Sequence, residues 1–178
     1  MESWSVAILG DAGVGKTTLA IQTPYDPTIE VYSKQFMVDN RICFVEVIDT
    51  SGFDLEEYLS AARENQGFIL VYSIASRVTF ERLDIFIKLL KAKLKKPTFI
   101  LVANKSDKID QREVSREEGI AFAKICGCEF MEASASTAYN VEFLFQNLVR
   151  ALRQARAMTR SGSRRKQDKK KPVKCVVM

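Results

Sequence analysis

Between Gly10 and Thr17 the chain reads Gly-Asp-Ala-Gly-Val-Gly-Lys-Thr. The short apolar run Trp4–Leu9 before it has the composition of a strand. Thr17-Thr18-Leu19-Ala20-Ile21-Gln22, which overlaps its end, has that of a helix start. Gly10, Gly15, Lys16 and Thr17 at these spacings, set between a strand and a helix, match the P-loop pattern. The physics asks for these residue types. Glycines let the backbone turn tightly and aim successive N–H groups inward, making an anion-binding nest. The helix N-terminus adds unpaired N–H groups and the positive end of its dipole. Gly10, Asp11, Ala12, Gly13, Val14, Gly15, Lys16, Thr17 and Thr18 are therefore the candidate phosphate cradle. Lys16 would reach the β- and γ-phosphates of a nucleotide, and the Thr17 hydroxyl would ligate Mg²⁺.

A chain of 178 residues suits one compact domain plus a tail. No apolar run is long enough to span a bilayer, and Met1-Glu2-Ser3-Trp4 enters the first strand without a signal peptide. Cys43, Cys126, Cys128 and Cys175 make no disulfide framework, which points to a reducing cytosol. Cys126-Gly127-Cys128 has the wrong spacing for a zinc knuckle, and the chain has no histidine. That triplet reads as a helix end with Gly127 as its stop. The net charge of +5 is unevenly spread: residues 159–178 hold eight Lys/Arg against one Asp, so the body carries −2. A mildly acidic body with a basic tail implies an anionic surface as partner.

In chain order, the first helix opens at Lys16 and stops by Gln22, because Thr23-Pro24 does not continue it. A loop follows, then two strand-like runs, Ser33–Val38 and Ile42–Ile48, separated by the hairpin signal Asp39-Asn40. The second run leads into Asp49-Thr50-Ser51-Gly52. An acid after an apolar strand is where a doubly wound nucleotide-binding fold places its second metal-side ligand. Residues 55–65 read as a short polar helix, and Phe68–Ile74 as a central strand buried on both faces. Leu83, Phe86, Ile87, Leu90 and Leu94 fall at helical spacing within one helix, Val78–Leu94. Thr98–Ala103 is another buried strand, running into Asn104-Lys105-Ser106-Asp107. Ser115-Arg116-Glu117-Glu118 has capping-box spacing and opens a helix that ends near Gly127. Glu129–Met131 is a last strand, leading into Glu132-Ala133-Ser134-Ala135-Ser136. A final helix runs from about Val141 to Arg156. Strands alternating with helices imply a layered α/β fold.

Asn104-Lys105-Ser106-Asp107 follows a buried strand, at the edge where such sheets bind ligands. Together with the P-loop, Asp49-Thr50-x-Gly52 and Ser134-Ala135, it gives a chain that resembles the Ras family of small GTPases over residues 4–156 and into the tail. The stretch Tyr25-Asp26-Pro27-Thr28-Ile29-Glu30 is similar to the Ras effector-binding loop. The resemblance implies a P-loop NTPase fold of the Ras type: six strands, mostly parallel, flanked by five helices, with Ser33–Val38 antiparallel at one edge. It implies that Asp107 accepts from guanine N1 and N2 hydrogens and that Asn104 reads the O6/N7 edge. Lys105 would pack against the base, and the Ala135 N–H would donate to O6. Adenine would leave the Asp107 carboxylate unpaired. Thr28 would bind Mg²⁺ and the γ-phosphate, Asp49 would hold a metal-bound water, and the Gly52 N–H would sense the γ-phosphate. Lys16, Thr28 and Gly52 are thus the implied catalytic set, and Thr17, Thr28 and Asp49 the metal set. Loss of the γ-phosphate would release both loops, which is the switch.

The chain departs from the family in four places. Phe53 stands where the family carries the Gln that orients the attacking water. Ala12 stands where Ras has Gly; its methyl either crowds the γ-phosphate and an incoming arginine finger or is small enough to be tolerated. The segment between the first helix and Thr28 is shortened, and it loses the aromatic that lies against guanine. Reach does not forbid Thr28 from meeting the metal: six helical residues travel roughly 9 Å, and the five or six after them return up to about 18 Å. The shortening is a real deletion or a missing piece of coding sequence. Ser136 replaces a Lys, with little effect expected because the backbone at Ala135 does the reading.

Residues 161–174 have no apolar period and are expected to be disordered, which divides the chain into a GTP-binding domain, 1–158, and a basic tail, 159–178. The tail ends in Cys175-Val176-Val177-Met178, a C-a-a-X box whose Met favours farnesyl at Cys175. One lipid chain anchors marginally, so the lysines supply the second signal at an anionic inner leaflet. The competing reading of the tail is a nuclear-localisation or nucleic-acid patch; the body has no nucleic-acid module. The whole reads as a monomeric switch on the cytoplasmic face of the plasma membrane. It would cycle between GTP and GDP with Mg²⁺ and slow hydrolysis, served by an exchange factor, a GTPase-activating protein and effectors. Its rivals are a module that holds GTP and barely hydrolyses it, a nucleotide-free pseudo-GTPase scaffold, and another P-loop enzyme such as a nucleotide kinase.

Overall fold

The computed structural model describes residues 2–22, 25–26, 31–50 and 55–168. Its centre is a twisted sheet in the order β2-β3-β4-β1-β5-β6-β7. The strands are β1 (Glu2–Gly10), β2 (Tyr25–Asp26), β3 (Val31–Val38), β4 (Arg41–Asp49), β5 (Gly67–Ser73), β6 (Thr98–Asn104) and β7 (Glu129–Glu132). The six expected strands are present, and β4, β1, β5, β6 and β7 run parallel. β3 is antiparallel to β4, and the two-residue β2 adds outside β3 in a stretch read from sequence as loop. The β3–β4 turn has φ 51° at Asp39 and 57° at Asn40, the left-handed pair of a type I′ hairpin.

Among the described residues the helices are α1 (Lys16–Ile21), α2 (Leu55–Glu64), α3 (Arg77–Glu81), α4 (Leu83–Lys93), α5 (Arg116–Cys126) and α6 (Val141–Asp168). A single helix over 78–94 is therefore corrected to two, parted at Arg82. The first turn is tied to the sheet: the Thr79 hydroxyl accepts from the Ser73 N–H at 3.0 Å and donates to the Ser76 carbonyl at 2.8 Å. Leu83, Phe86, Ile87 and Leu90 then set the direction of α4 by their burial. α6 is also longer than the expected end at Arg156, and the expected disorder is corrected over 161–168. Arg164, Arg165, Lys166 and Gln167 are good helix formers that carry the helix past Ser161-Gly162-Ser163, and the first Pro beyond is Pro172. α5 is as read: Ser115 and Glu118 form the capping box, and Gly127 closes the helix at φ 75°. Cys126 and Cys128 are free thiols beside that cap, both pushed up by burial.

The core lies on both faces of the sheet. One side packs Val6, Ile8, Val45 and Val71 against Leu19 of α1 and Leu144, Phe145 and Leu148 of α6. The other packs Leu9, Phe68, Leu70 and Leu101 against Tyr58 of α2, Leu83 and Leu90 of α4, and Ala123 of α5. β5 is buried at every residue, as a continuous apolar run demands.

Candidate nucleotide site

Register brings the sequence motifs to one edge. Ile8 pairs with Asp49, Gly10 with Val71, Ser73 with Asn104 and Ala103 with Glu132. The loops after β1, β4, β6 and β7 therefore all open at the carboxyl ends of parallel strands. β1 sits between β4 and β5, where the chain order reverses, the usual ligand crevice of such sheets. A cavity of about 350 Å³ there is lined by Ala12, Gly13, Gly15, Lys16, Thr17, Thr18, Thr50 and Lys105.

The phosphate loop is held from outside by its carbonyls. Asn104 Nδ2 donates to Val14 O at 2.8 Å, and Lys105 Nζ donates to Gly13 O at 2.6 Å. In a trans peptide the N–H points opposite to the C=O. Drawing these two carbonyls toward Asn104 and Lys105 thus aims the N–H groups of Val14 and Gly15 the other way. Lys16 is 6% exposed, and its ammonium donates to the Gly10 and Asp11 carbonyls, both at 3.0 Å. Gly15 has φ 97°, and a Cβ there would collide with the Asn104 amide. At Gly10 a Cβ would collide with the Val71 carbonyl. Both glycines are required by close approach of neighbouring strands and loops.

Two ligand types for a hard cation meet at the far side of the loop. The Thr17 hydroxyl donates to Asp49 Oδ2 at 2.6 Å. Asp49 Oδ1 is buried with no hydrogen-bond partner among the described residues. Thr50, fully buried, donates to Ile8 O at 2.6 Å and pins the end of β4 beside β1. No cluster of three His, Cys, Asp or Glu exists among the described residues. One hydroxyl and one carboxylate with an unused lone pair fit Mg²⁺, which keeps water and phosphate oxygens as its other ligands.

The base side is built from β6 and β7. Asn104 is 1% exposed, and its Oδ1 accepts from the Ala135 N–H at 3.0 Å. With Nδ2 on Val14, this one amide ties the phosphate loop to the loop after β7. The Ser134 hydroxyl donates to Asp107 Oδ1 at 2.5 Å, and Ser136 Oγ lies 3.0 Å from Ser134 Oγ. These contacts hold the Asp107 carboxyl below its usual range; Ser134 contributes most, and Ser136 also lowers it. Ser136 is thus part of the network that orients the acid. Lys105 adopts φ 62°, a left-handed conformation that turns the chain between Asn104 and Asp107.

Tyr25 and Asp26 are described only as strand. Pro27, Thr28, Ile29, Glu30, Gly52, Phe53 and Cys175 lie outside the described residues. Three residues near the loop carry no local signal in the sequence. Arg82, at the α3–α4 break, pairs with Asp11 at 2.9 Å. Asp11 is 6% exposed, and its Oδ1 accepts from the Ala12 N–H at 2.9 Å. The Tyr58 hydroxyl of α2 donates to Gly10 O at 3.2 Å. Gln22 Nε2 at the end of α1 donates to Ala135 O at 2.9 Å. A carboxylate inside a phosphate loop is itself a sequence signal that a cation must lie nearby, though it does not say which one.

The Ras family model matches residues 5–154. Ras-like protein B of Aspergillus fumigatus is 41% identical, over 96% of this chain and 85% of the relative. Protein ras-2 of Neurospora crassa is 41% identical over 90% and 84%. Ras-like protein 1 of Pyricularia oryzae is 37% identical over 97% and 96%. The first of these alignments spans 207 positions, more than the 178 residues of this chain, so that relative carries segments this chain lacks.

Proposed function

Because the chain belongs to the Ras family of small GTPases, we propose that it is a membrane-attached guanine-nucleotide switch that hydrolyses GTP slowly. The observation that carries the nucleotide reading is the double engagement of Asn104. Its amide joins the loop suited to phosphates to the loop suited to a base, at 2.8 and 3.0 Å. A ligand with a phosphate chain at one end and a planar base at the other spans these two loops.

Gly10–Thr18 would cradle the phosphates, with the Val14 and Gly15 N–H groups and the Lys16 ammonium meeting their charge. To do so, Lys16 would exchange its contacts with the Gly10 and Asp11 carbonyls for phosphate oxygens. Asp107, held below its usual range chiefly by the Ser134 hydroxyl, would accept from guanine N1 and N2, and the Ala135 N–H would exchange its bond to Asn104 Oδ1 for guanine O6. Asn104 has one amide hydrogen beyond its bond to Val14 with which to meet N7. Thr17 and Asp49 would hold Mg²⁺, with Thr28 as a further ligand; the ion, when bound, neutralises charge on the phosphates. Water would attack in line, with Lys16, Thr28 and the Gly52 N–H around the γ-phosphate. Phe53 has no group to orient that water, and Ala12, where Ras has Gly, adds a methyl to the cavity lining. Hydrolysis would therefore be slow and would depend on an activating protein.

The tail would anchor the chain to the cytoplasmic face of the plasma membrane, through farnesyl on Cys175 and the basic run of 160–174. No helix among the described residues is long and apolar enough to cross a membrane. An exchange factor and effectors that read 25–30 complete the cycle.

The test is the nucleotide content of the purified full chain, followed by single-turnover hydrolysis. Guanine nucleotide near one per chain is expected. An empty protein that takes up no GDP with Mg²⁺ refutes the site. Bound GTP that persists with and without an activating protein favours a second reading, a GTP-holding module, which Phe53 and Ala12 motivate.

A further inference from the structure

A second concave site lies at the opposite edge of the sheet, where β1 and β4 begin and α6 passes. Its volume is about 740 Å³, and its lining includes Glu2, Ser3, Arg41, Gln66, Arg153 and Arg156. The run of β1 from Glu2 to Gly10 separates it from the phosphate loop by about 26 Å. Three guanidiniums face one carboxylate here, although the body as a whole carries more acidic than basic residues.

Arg153 is held in place, and Arg156 leans on an aromatic ring. The Arg153 side chain is 14% exposed; it donates to Glu2 Oε2 at 2.6 and 3.0 Å and to Val38 O at 2.8 Å. Arg156 lies over the Trp4 ring at 5.6 Å, and Trp4 is 3% exposed. Arg41 opens β4 and is exposed. The Glu2 carboxyl is held below its usual range, first by the Arg153 hydrogen bonds and further by the charges of Arg41 and Arg156. All three arginines line the same recess as Glu2. Arg153 meets Glu2 and lies 3.8 Å from Asp39, which Arg150 also pairs, and Arg41 and Arg156 add two positive charges to the wall of the recess. Planar guanidiniums pair bidentately with phosphate oxygens. A cavity of this volume takes a sugar phosphate rather than a single phosphate ion.

We propose that this recess binds the multiply phosphorylated headgroup of an anionic membrane lipid and so seats the body against the bilayer. The source is a lipid because of what adjoins the recess. Ala157 completes its lining, and the same helix continues to Asp168, into the basic run of 160–174. A surface that attracts that run meets the recess in the same approach. This inference rests on the membrane reading above and adds to it a contact made by the body.

The test uses the full unlipidated chain loaded with GDP and Mg²⁺. Its binding is measured on neutral vesicles doped with a bisphosphorylated phosphoinositide, and on vesicles of equal total charge made with phosphatidylserine. The wild type is expected to prefer the phosphoinositide. Arg41→Gln with Arg156→Gln, which leaves the tail intact, is expected to lose about fivefold of binding per arginine on phosphoinositide vesicles, and with it most of the preference. Arg156→Lys keeps the charge without the planar fork; it is expected to lower the preference while phosphatidylserine binding holds. Each variant is accepted as folded by its nucleotide content and thermal midpoint, since neither residue touches the nucleotide site. An unchanged preference in the glutamine variant overturns the recess and leaves the membrane reading standing. No wild-type binding to either vesicle overturns both. Equal affinity for a soluble inositol polyphosphate without vesicles overturns the assignment to lipid.

Discussion

Asp11 places a carboxylate inside a loop suited to phosphates, and Arg82 is what makes that tolerable. The pair is 2.9 Å apart, with side chains 7% and 48% exposed. At an effective dielectric of 20, two unit charges at that distance attract by about 6 kcal/mol. Desolvation of the nearly buried carboxylate and water around the half-exposed guanidinium offset most of this, leaving a coupling of about 1–2 kcal/mol. The two halves of the pair are not equivalent. Arg82→Ala strands a negative charge beside the phosphates. Asp11→Ala releases an arginine that already reaches water, at the cost of the Ala12 N–H bond. Arg82→Ala should therefore destabilise the protein by about 2 kcal/mol and weaken GDP about tenfold, equivalent to 1.4 kcal/mol. Asp11→Ala should cost less on both counts, and the double variant should regain most of what Arg82→Ala lost. Arg82 has contacts beyond Asp11, so the double-mutant cycle is the measurement that isolates the pair. Urea unfolding at saturating GDP and displacement of fluorescent GDP supply the two readouts. Strict additivity of the single effects refutes the reasoning.

Tyr72 is fully buried, and its hydroxyl has no hydrogen-bond partner among the described residues. Tyr72→Phe should be neutral or stabilising by up to about 1 kcal/mol in urea unfolding, with the 4.9 Å ring contact to Phe80 kept. Gly15→Ala puts a Cβ at φ 97° into the Asn104 amide; it should cost about 1–3 kcal/mol and abolish retention of nucleotide through gel filtration. Glu2 is held below its usual range by Arg153, so its stabilising effect is full above about pH 4.5 and fades as pH falls through the depressed value. Glu2→Gln should lower the thermal midpoint at pH 7, and the difference from wild type should close in acid.

Elements were legible wherever a local cause makes them. The capping box at Ser115, the cap at Gly127 and the Asp39-Asn40 turn depend on a few adjacent residues, and each formed as read. The buried strands declared themselves by unbroken apolar runs. The break at Arg82 was hidden because the apolar spacing continues across it; the cause is Thr79, whose hydroxyl answers to Ser73 on the sheet. α6 overran its expected end because amphipathic period marks only the part of a helix that packs. The motif residues of the site were visible, and their partners were not. Ion pairs and hydrogen bonds such as Arg82–Asp11 and Gln22–Ala135 join residues 71 and 113 positions apart, and no local pattern encodes them.

Those partners change how the phosphate loop is understood. Its shape is set from several sides at once: by Asn104 and Lys105 at the end of β6, by Arg82 at the start of α4, and by Tyr58 of α2. The first three come from elements packed into the core and act as fixed supports. Tyr58 differs, because α2 follows in sequence directly on residues 51–54, which include Gly52, the proposed γ-phosphate contact. Its ring packs edge-on against Phe86 of α4 at 5.1 Å, while its hydroxyl holds the Gly10 carbonyl. A neutral hydrogen bond of this kind contributes about 1 kcal/mol, roughly a fivefold bias in a two-state equilibrium. Any rearrangement of α2 that breaks it is therefore felt at the loop by about that amount. Arg82, acting on Asp11 from the rigid side, holds the loop more strongly than Tyr58 does. The arrangement favours a phosphate loop that keeps its shape whether or not the Tyr58 bond is made.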